Sequence, residues 1–269
     1  MPAVTVKGWL NRLPRVTSTD AGDDAQDAED GQDARIERTL VVVAHPDDID
    51  FGAGGTVAGW VDAGIEVTEL ICTRGDAGGF DDTPREAMPA LREAEQRAAA
   101  AELGVSDVRF LDGYADGSLA VSPALVRDIV RVIRQVRPQR VLTASPERWW
   151  ERLGASHPDH LAAGEATVQA LYPAARNPFA FPELLADEGL ESWTVSELWL
   201  MADPKSDHPV DITETFARKV AALKAHSSQT GHRADLEDML RTWSGGIAAR
   251  YELPEGHLAE AFRVITLPP

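Results

Sequence analysis

The chain has 269 residues, of which 43% are hydrophobic, so it is long enough to bury a substantial core in one α/β domain or two smaller ones. Its net charge of −18 argues against nucleic acid and anionic membranes as partners, because both need a basic face. A single cysteine, Cys72, excludes an intramolecular disulfide and a cysteine-rich zinc site, so any metal would depend on histidine and carboxylate ligands.

The first 35 residues are predicted to be an N-terminal extension outside the folded domain. Residues 17–35 have almost no large apolar side chain, so they cannot offset the entropy of ordering, and we expect an acidic, disordered linker. Seven acids and no Lys or Arg lie between Asp20 and Asp33, yet the remainder still carries −11. With no signal peptide and no long apolar run, the sequence predicts a soluble, cytoplasmic protein. A homo-oligomer is compatible with this sequence, which does not specify one.

From residue 39 onward, short apolar segments rich in branched or aromatic residues alternate with helical patterns. The predicted strands are 39–44, 67–73, 108–112, 140–145 and 197–202. The predicted helices include 85–104, which ends at Gly104; 122–138, which Ser122 can cap; and 211–226, which begins with a capping-box pair, Asp211 and Glu214. This alternation predicts a Rossmann-like α/β fold, a mostly parallel sheet with helices on both faces, in a single domain over residues 36–269.

Polar side chains gather where the predicted strands end. In parallel sheets ligands bind beyond the carboxyl ends of the strands, so these residues are the first candidates for a functional site. After the first, second and fourth strands they are His45, Asp47, Asp48 and Asp50; Arg74 and Asp76; and His157, Asp159 and His160. The polar segment DGYADGS, residues 112–118, follows the third.

Two motifs, HPDD at residues 45–48 and HPDH at 157–160, are candidates for the two halves of one metal site. Taken alone, the first is equally well explained by a strand end whose Asp caps the next helix, and the second by a solvated helix start. Their joint occurrence, each after a predicted parallel strand, favours a metal site. Two imidazoles and a carboxylate, with an open position for water, are typical of catalytic rather than structural zinc.

The glycine-rich segment GAGGT, residues 52–56, raises the alternative of a dinucleotide site because it follows a strand. Val57 stands where the third glycine of G-x-G-x-x-G belongs. The neighbouring aspartates would also repel a pyrophosphate, so the sequence argues against a dinucleotide there.

Together these motifs make the chain similar to the PIG-L, or LmbE-like, family of zinc-dependent N-deacetylases. The resemblance covers about residues 39–230 and rests on AHPDDIDFGAGGT, CTRGDAGG, REAEQRAAAAELG, ASHPDHLAAG and KAHSSQ. Members of this family hydrolyse N-acetyl groups, typically on small molecules that contain N-acetylglucosamine, and some cleave related amides such as thiol conjugates.

The resemblance implies one zinc ion per chain, bound by His45, Asp48 and His160. We therefore expect the imidazoles of His45 and His160 to lie within about 6 Å of each other. Many relatives have Glu directly after the two aspartates, where this chain has Ile49, and Asp50 is expected to do that residue's supporting work from one position later.

The same resemblance implies that Asp47 is the general base. His157 would stabilise the tetrahedral intermediate or protonate the leaving amine, with Asp159 orienting it. Arg74 matches a position that holds a polar part of the substrate.

Two further residues are predicted to contact the substrate. Trp150 precedes the second motif and offers a ring for stacking on a sugar, although packing under a loop is the competing explanation for it or for its neighbour Trp149. His226 ends a predicted helix and could reach the pocket, although a histidine that interacts with the helix C-terminus explains it equally well.

The predicted function is therefore zinc-dependent removal of an N-acetyl group from an N-acetylglucosamine-type small molecule. An amidase acting on a thiol conjugate with the same site is the nearest alternative. Two histidines and one carboxylate are also the ligand set of non-haem iron oxygenases, but the acidic neighbour Asp47 and the α/β pattern disfavour that class. A non-catalytic sugar-binding protein is a third hypothesis, disfavoured because every catalytic position is intact.

Overall fold

The computed structural model of the chain describes residues 36–80 and 82–268, so the extension predicted for residues 1–35 lies outside the described residues. Its strands are β1 (Arg38–Val43), β2 (Glu66–Ile71), β3 (Asp107–Phe110), β4 (Arg140–Ala144), β5 (Glu197–Met201), β6 (His208–Asp211) and β7 (Ala259–Thr266). Its helices are α1 (Asp48–Asp62), α2 (Met88–Leu103), α3 (Pro123–Val136), α4 (Pro158–Gln169), α5 (Pro182–Ala186), α6 (Phe216–Ala225), α7 (Ser227–Thr230) and α8 (Leu236–Arg250).

The described strands form one seven-stranded sheet in the order β3-β2-β1-β4-β5-β7-β6. Strands β1 to β5 are paired in parallel, whereas β7 runs antiparallel to both of its neighbours. The predicted α/β fold with a mostly parallel sheet is confirmed. Strands β6 and β7 were not predicted, because β6 has four residues and contains Pro209, and β7 mixes small, charged and apolar side chains.

Alternating side chains of the central strands build the two apolar layers of the molecule. Leu40 and Val42 of β1 pack in a cluster with α3 and α4, whereas Val41 and Val43 pack in a second cluster with α1 and α2. Helices therefore cover both faces of the sheet, as the continuous apolar strands predict. No helix within residues 36–80 and 82–268 combines the length and apolar character needed to span a bilayer.

Local signals locate two of the three helix boundaries correctly. The Ser122 hydroxyl accepts a hydrogen bond from the Leu125 N–H at the start of α3, and Gly104 ends α2 in the left-handed region at φ 82°. The capping box predicted at Asp211 and Glu214 is wrong. Asp211 ends β6 instead, and its carboxylate accepts a hydrogen bond from the Thr213 N–H at 2.9 Å, so the helix begins five residues later.

The glycine-rich start of α1 is explained by close packing. A Cβ atom at Gly55 would lie 2.6 Å from the Cβ of Ile212, which is closer than such atoms approach in folded proteins. Gly55 therefore lets helix α1 approach the chain after β6, which accounts for this glycine without a dinucleotide.

Strand β2 carries a carboxyl group, Glu69, that has no exposed surface. Its Oε2 accepts a hydrogen bond from Gln96 Nε2 at 3.0 Å. Burial, with a further contribution from the nearby charge of Asp50, raises the pKa of Glu69 well above its ordinary value. The folded protein therefore holds a proton on Glu69 at pH values where the unfolded chain has released it.

Replacing this carboxyl is expected to change how stability depends on pH. Above the unfolded pKa of Glu69 and up to its raised folded pKa, wild-type stability should fall by about 1.4 kcal/mol for each pH unit, because the folded state binds the extra proton. Glu69→Gln removes that dependence, so its unfolding free energy relative to wild type should rise from pH 5 to pH 8 in urea titrations. The matched control is Glu66→Gln, at the exposed first position of the same strand. Parallel stability profiles for Glu69→Gln and wild type would contradict the assignment.

Candidate active site

The two histidine–aspartate motifs follow neighbouring strands. Strands β1 and β4 pair in parallel, with Val42 opposite Thr143, so the segments that leave their carboxyl ends lie side by side. HPDD joins β1 to α1, and HPDH begins α4, which follows β4 after a 3₁₀ turn at Trp150–Ala155. Two pieces of chain more than a hundred residues apart therefore meet at one edge of the sheet.

The first motif makes a tight turn with an unusual backbone. Asp47 is the residue that precedes α1, and it lies in the left-handed region at φ 83°, which costs a non-glycine residue about 1–3 kcal/mol. The N–H of His45 donates to Asp48 Oδ2 at 2.9 Å, and His45 Nδ1 lies 3.6 Å from the same oxygen. The expected convergence of His45 and Asp48 is present.

The second motif starts a helix with its own histidine as the cap. His157 Nδ1 accepts a hydrogen bond from the Asp159 N–H at 3.2 Å, and Pro158 occupies the first helical position, as predicted. His160 lies in that first turn. The ring centroid of His157 is 5.1 Å from that of His45 and 5.2 Å from that of His160, so three imidazoles line one site.

Three donor atoms of the predicted ligand set lie at distances that suit one metal ion. His45 Nδ1 is 3.3 Å from His160 Nε2, and His160 Nε2 is 2.9 Å from Asp48 Oδ1. Ligand atoms about 2.0–2.1 Å from a tetrahedral zinc ion lie about 3.3–3.4 Å apart, so these residues fit such an ion. The distance between the imidazoles of His45 and His160 is well inside the expected limit.

Two other groupings of donor atoms are also close. Ring nitrogens of His45, His157 and His160 lie within 4.8 Å of one another, and so do donor atoms of His45, Asp116 and Asp159. The first grouping would replace Asp48 by His157 as a ligand. The second would use the opposite ring nitrogen of His45.

Charges within the site favour bound protons when no cation is present. Burial alone would lower the pKa of His45, but its interactions with Asp116 and Asp48 outweigh burial and raise that pKa to about 11. The pKa of His160 is raised as well, because Asp48 outweighs burial. The two imidazoles hold the pKa of Asp48 well below its usual range, although burial opposes this. A divalent cation must displace these protons, so its affinity should rise with pH.

Two carboxylates hold the far side of the His45 ring. His45 Nε2 lies 3.0 Å from Asp116 Oδ1 and 3.1 Å from Asp159 Oδ2. Asp159 has almost no exposed surface and also accepts hydrogen bonds from the N–H groups of Gly117 and Leu119, at 2.7 and 3.2 Å. The structure therefore places the Asp159 carboxylate against His45, where sequence analysis expected it to orient His157. Such a carboxylate directs the opposite ring nitrogen towards a metal ion.

Asp47 is held by a buried arginine that the sequence analysis did not identify. Arg92 Nη2 donates to Asp47 Oδ2 at 3.1 Å and to the Pro46 carbonyl at 2.7 Å. Burial raises the pKa of Asp47 to about 7, although the Arg92 charge lowers it. A carboxyl group with such a pKa can accept and return a proton near neutral pH.

His157 occupies the open side of the site and is solvent-exposed. Partial burial, with the charges of His45 and His160, lowers its pKa below the ordinary value, so the ring is neutral at pH 7. Because Nδ1 accepts the Asp159 N–H, the proton of the neutral ring is on Nε2. His157 can therefore donate a hydrogen bond into the open site.

Two residues predicted to contact the substrate, Arg74 and His226, are bound to other groups of the protein. The guanidinium of Arg74 donates to the carbonyl of Leu111 at 2.9 Å and pairs with Glu93 and Asp112, so α2 and the segment after β3 already supply its partners. His226 has no exposed surface, and its Nε2 lies 2.9 Å from Asp50 Oδ2, so its side chain cannot touch a substrate in this structure.

Trp150 is exposed at the start of the 3₁₀ turn before HPDH, with 74% of its surface accessible. A hydrogen bond joins the two ends of this loop: the N–H of Trp149, the half-buried neighbour of Trp150, donates to Ser156 Oγ at 2.7 Å. Ser156 directly precedes His157, so this loop carries the Trp150 ring on the chain that leads into the site.

Substitutions distinguish the candidate ligand sets. Asp48→Ala and His160→Ala are expected to weaken divalent-ion binding by more than about 100-fold, beyond the range for residues that only support a ligand. His157→Ala should stay within that range, because its ring caps α4 and faces the open side. Binding is measured by competition with a chromophoric chelator, with His257→Ala, which pairs with Asp211, as the control. Strong binding by Asp48→Ala together with its loss in His157→Ala would assign three imidazole ligands instead.

Comparisons with known proteins identify the family to which both motifs belong. The family model PIG-L, described as GlcNAc-PI de-N-acetylase, matches residues 40–171, which include both motifs. The diacetylchitobiose deacetylase of Thermococcus kodakarensis is 32% identical over 232 residues, covering 86% of this chain and 84% of that protein. The 1D-myo-inositol 2-acetamido-2-deoxy-alpha-D-glucopyranoside deacetylase of Rhodococcus erythropolis is 30% identical over 246 aligned residues, covering 73% of this chain and 82% of that protein.

The fold has a close solved counterpart. The N,N'-diacetylchitobiose deacetylase from Pyrococcus horikoshii, in complex with its inhibitor MPG, matches with a TM-score of 0.78 and 26% identity, covering 93% of this chain and 95% of that one. With both motifs inside the matched segment and 32% identity to a relative over most of either chain, this protein belongs to the PIG-L family.

Proposed function

We propose that this protein is a zinc-dependent hydrolase that removes the N-acetyl group from an N-acetylglucosamine-type small molecule. The observation that carries the proposal is the meeting of the His45, Asp48 and His160 donor atoms, with Asp47 next to Asp48 in the chain and His157 on the open side. A zinc ion held there would lower the pKa of a bound water to about 7 and polarise the acetyl carbonyl.

In this mechanism Asp47 transfers the protons, and His157 stabilises the negative charge that develops. Asp47 takes a proton from the attacking water, whose oxygen forms the new bond to the acetyl carbon. The neutral His157 donates a hydrogen bond from its Nε2–H to the oxyanion that develops on the former carbonyl oxygen, and it keeps its proton. When the C–N bond breaks, Asp47 returns its proton to the leaving nitrogen, so that acetate and a free amine are the products.

Arg92 and Asp159 support these roles without touching the reacting bond. The Arg92 charge favours the ionised form of Asp47, which is the form that acts as a base. The Asp159 carboxylate orients the His45 ring so that Nδ1 faces Asp48 and His160. The Asp47 carboxylate beside the ligand residues favours hydrolysis over oxygen activation by iron.

The substrate class is supported by the names of the relatives. The two curated relatives are named as deacetylases of diacetylchitobiose and of an inositol 2-acetamido-2-deoxyglucoside, which share an acetylated amino sugar. The exposed Trp150 ring, on the turn that leads into His157, suits stacking on a sugar face. A cytoplasmic location is part of the proposal, and the buried free thiol of Cys72 is compatible with a reducing compartment.

Truncating the general base is the first test of this mechanism. Asp47→Ala should lower turnover by about 10²–10⁴ while leaving zinc bound, since Asp47 transfers protons and does not hold the ion. Amine release is measured with zinc-loaded protein on N-acetylglucosamine, N,N'-diacetylchitobiose, an N-acetylglucosaminyl inositol and a thiol-conjugate amide. Asp62→Ala, at the opposite end of α1, is the matched control and should keep wild-type turnover. Full turnover in Asp47→Ala would refute the base, and a wild-type protein inert on the whole panel would refute the substrate class.

The proposed stacking of Trp150 on a sugar gives a separate expectation about substrate binding. Trp150→Ala should raise KM for N,N'-diacetylchitobiose by about 3- to 10-fold with little change in kcat, because a stacking contact is lost in both the ground state and the transition state. The control is Phe179→Ala, an aromatic ring that is 88% exposed and follows the far end of α4. Equal KM values for the two variants would remove Trp150 from the substrate site.

A further inference from the structure

The backbone of Asp47 is held by a side chain from a distant helix. Its N–H donates to Gln96 Oε1 at 2.8 Å, and Gln96 lies on α2, forty-nine residues further along the chain. Gln96 has no exposed surface. The side chain of Asp47 makes no capping bond to α1 and accepts a hydrogen bond from Arg92 instead, while Gln96 satisfies the Asp47 N–H.

The orientation of the Gln96 amide follows from its other neighbours. Its Nε2 donates to Glu69 Oε2 at 3.0 Å and lies 3.4 Å from Asp50 Oδ2, so two carboxyl groups face the nitrogen and a backbone N–H faces the oxygen. Asp50 in turn is held by His226 Nε2 at 2.9 Å. A buried chain of contacts therefore runs from His226 through Asp50 and Gln96 to the backbone of Asp47.

The hydrogen bond from the Asp47 N–H to Gln96 lies at a residue whose backbone conformation is strained. A left-handed conformation is unfavourable for an aspartate, and it persists only where the surrounding structure holds it. At φ 83° the Asp47 carboxylate is directed to Arg92 and makes no capping bond to α1. Without an acceptor at the position of Gln96 Oε1, the Asp47 N–H would lose its partner and the turn could relax.

We propose that Gln96 is a positioning residue for Asp47, which it holds in the catalytic orientation through the backbone, with Asp50 and His226 fixing the Gln96 amide. This inference rests on the proposed function, in which Asp47 is the general base. It gives the buried His226 and Asp50 a role that does not require either of them to touch the substrate.

The test compares two glutamines that make the same kind of bond. Gln139 Oε1 accepts a hydrogen bond from the Arg38 N–H at 2.9 Å, at the opposite end of β1. Gln96→Met and Gln139→Met therefore each remove one hydrogen bond that a backbone N–H donates to a glutamine side chain. Both variants are prepared in the full-length, zinc-loaded protein, and kcat, KM, zinc content and thermal stability are measured.

Gln96→Met is expected to lower kcat by about 10- to 100-fold, the usual loss when a supporting residue is removed, with zinc content unchanged and KM changed less than about threefold. Gln139→Met should leave kcat at the wild-type value even if its thermal stability falls. If Gln96→Met does not fold, Gln96→Asn is measured against Gln139→Asn, because its shorter side chain keeps a buried amide but cannot reach the Asp47 N–H.

A double-mutant cycle separates positioning from general damage. In an Asp47→Ala background, Gln96→Met should lower kcat no further, because the residue it positions is already absent. Equal kcat for Gln96→Met and Gln139→Met, or a full additional loss in the Asp47→Ala background, would overturn the inference. Full turnover in Asp47→Ala alone would instead refute the proposed base, so the two failures are distinguishable.

Discussion

The parallel pairing of β1 with β4 is the constraint on which the site depends. Because the two strands are neighbours with the same direction, the segments that follow them leave the same edge of the sheet. His45 and Asp48 come from one segment and His160 from the other, and their donor atoms lie 2.9 to 3.6 Å apart. Each motif by itself only begins a helix. The pairing of the two strands in the sheet brings the motifs together in one site.

The same edge concentrates negative charge. Asp47, Asp48, Asp116 and Asp159 all contact its histidines or its arginine, and Arg92 is a permanent cation among them. These carboxylates raise the pKa of His45 and of His160, so both imidazoles hold protons strongly when no cation is bound. A divalent ion would balance the same carboxylates in place of those protons. Asp47 can remain a base in this setting because Arg92 compensates for its carboxylate neighbours.

The sequence predicted those features that depend on local patterns. Continuous apolar strands predicted the parallel sheet. The family resemblance carried by the two motifs implied His45, Asp48 and His160 as ligands, and the sheet brings their donor atoms together. Arg92 and Gln96 were not identified, and Asp116 was noted only as part of the polar segment that follows the third predicted strand. They reach the site from a helix and a loop, and the helical pattern of α2 does not reveal which of its polar side chains point inward.

Two expectations about roles changed for the same reason. Asp159 was expected to orient His157, its neighbour in the motif, but the loop at residues 116–119 brings it against His45. His226 was expected at the pocket, but the turn at α7 buries it beneath Asp50, where Glu95 accepts hydrogen bonds from Ser227 and Ser228. Tertiary contacts decide which neighbour a polar side chain meets, and short motifs do not encode them.

Anomalous diffraction at the zinc edge from crystals of the zinc-loaded protein tests the central claim most directly. The account predicts a single peak about 2.0–2.2 Å from His45 Nδ1, His160 Nε2 and an oxygen of Asp48, with an open coordination position towards His157. A peak between His45 Nε2, Asp116 and Asp159, or no peak at this edge of the sheet, would contradict it.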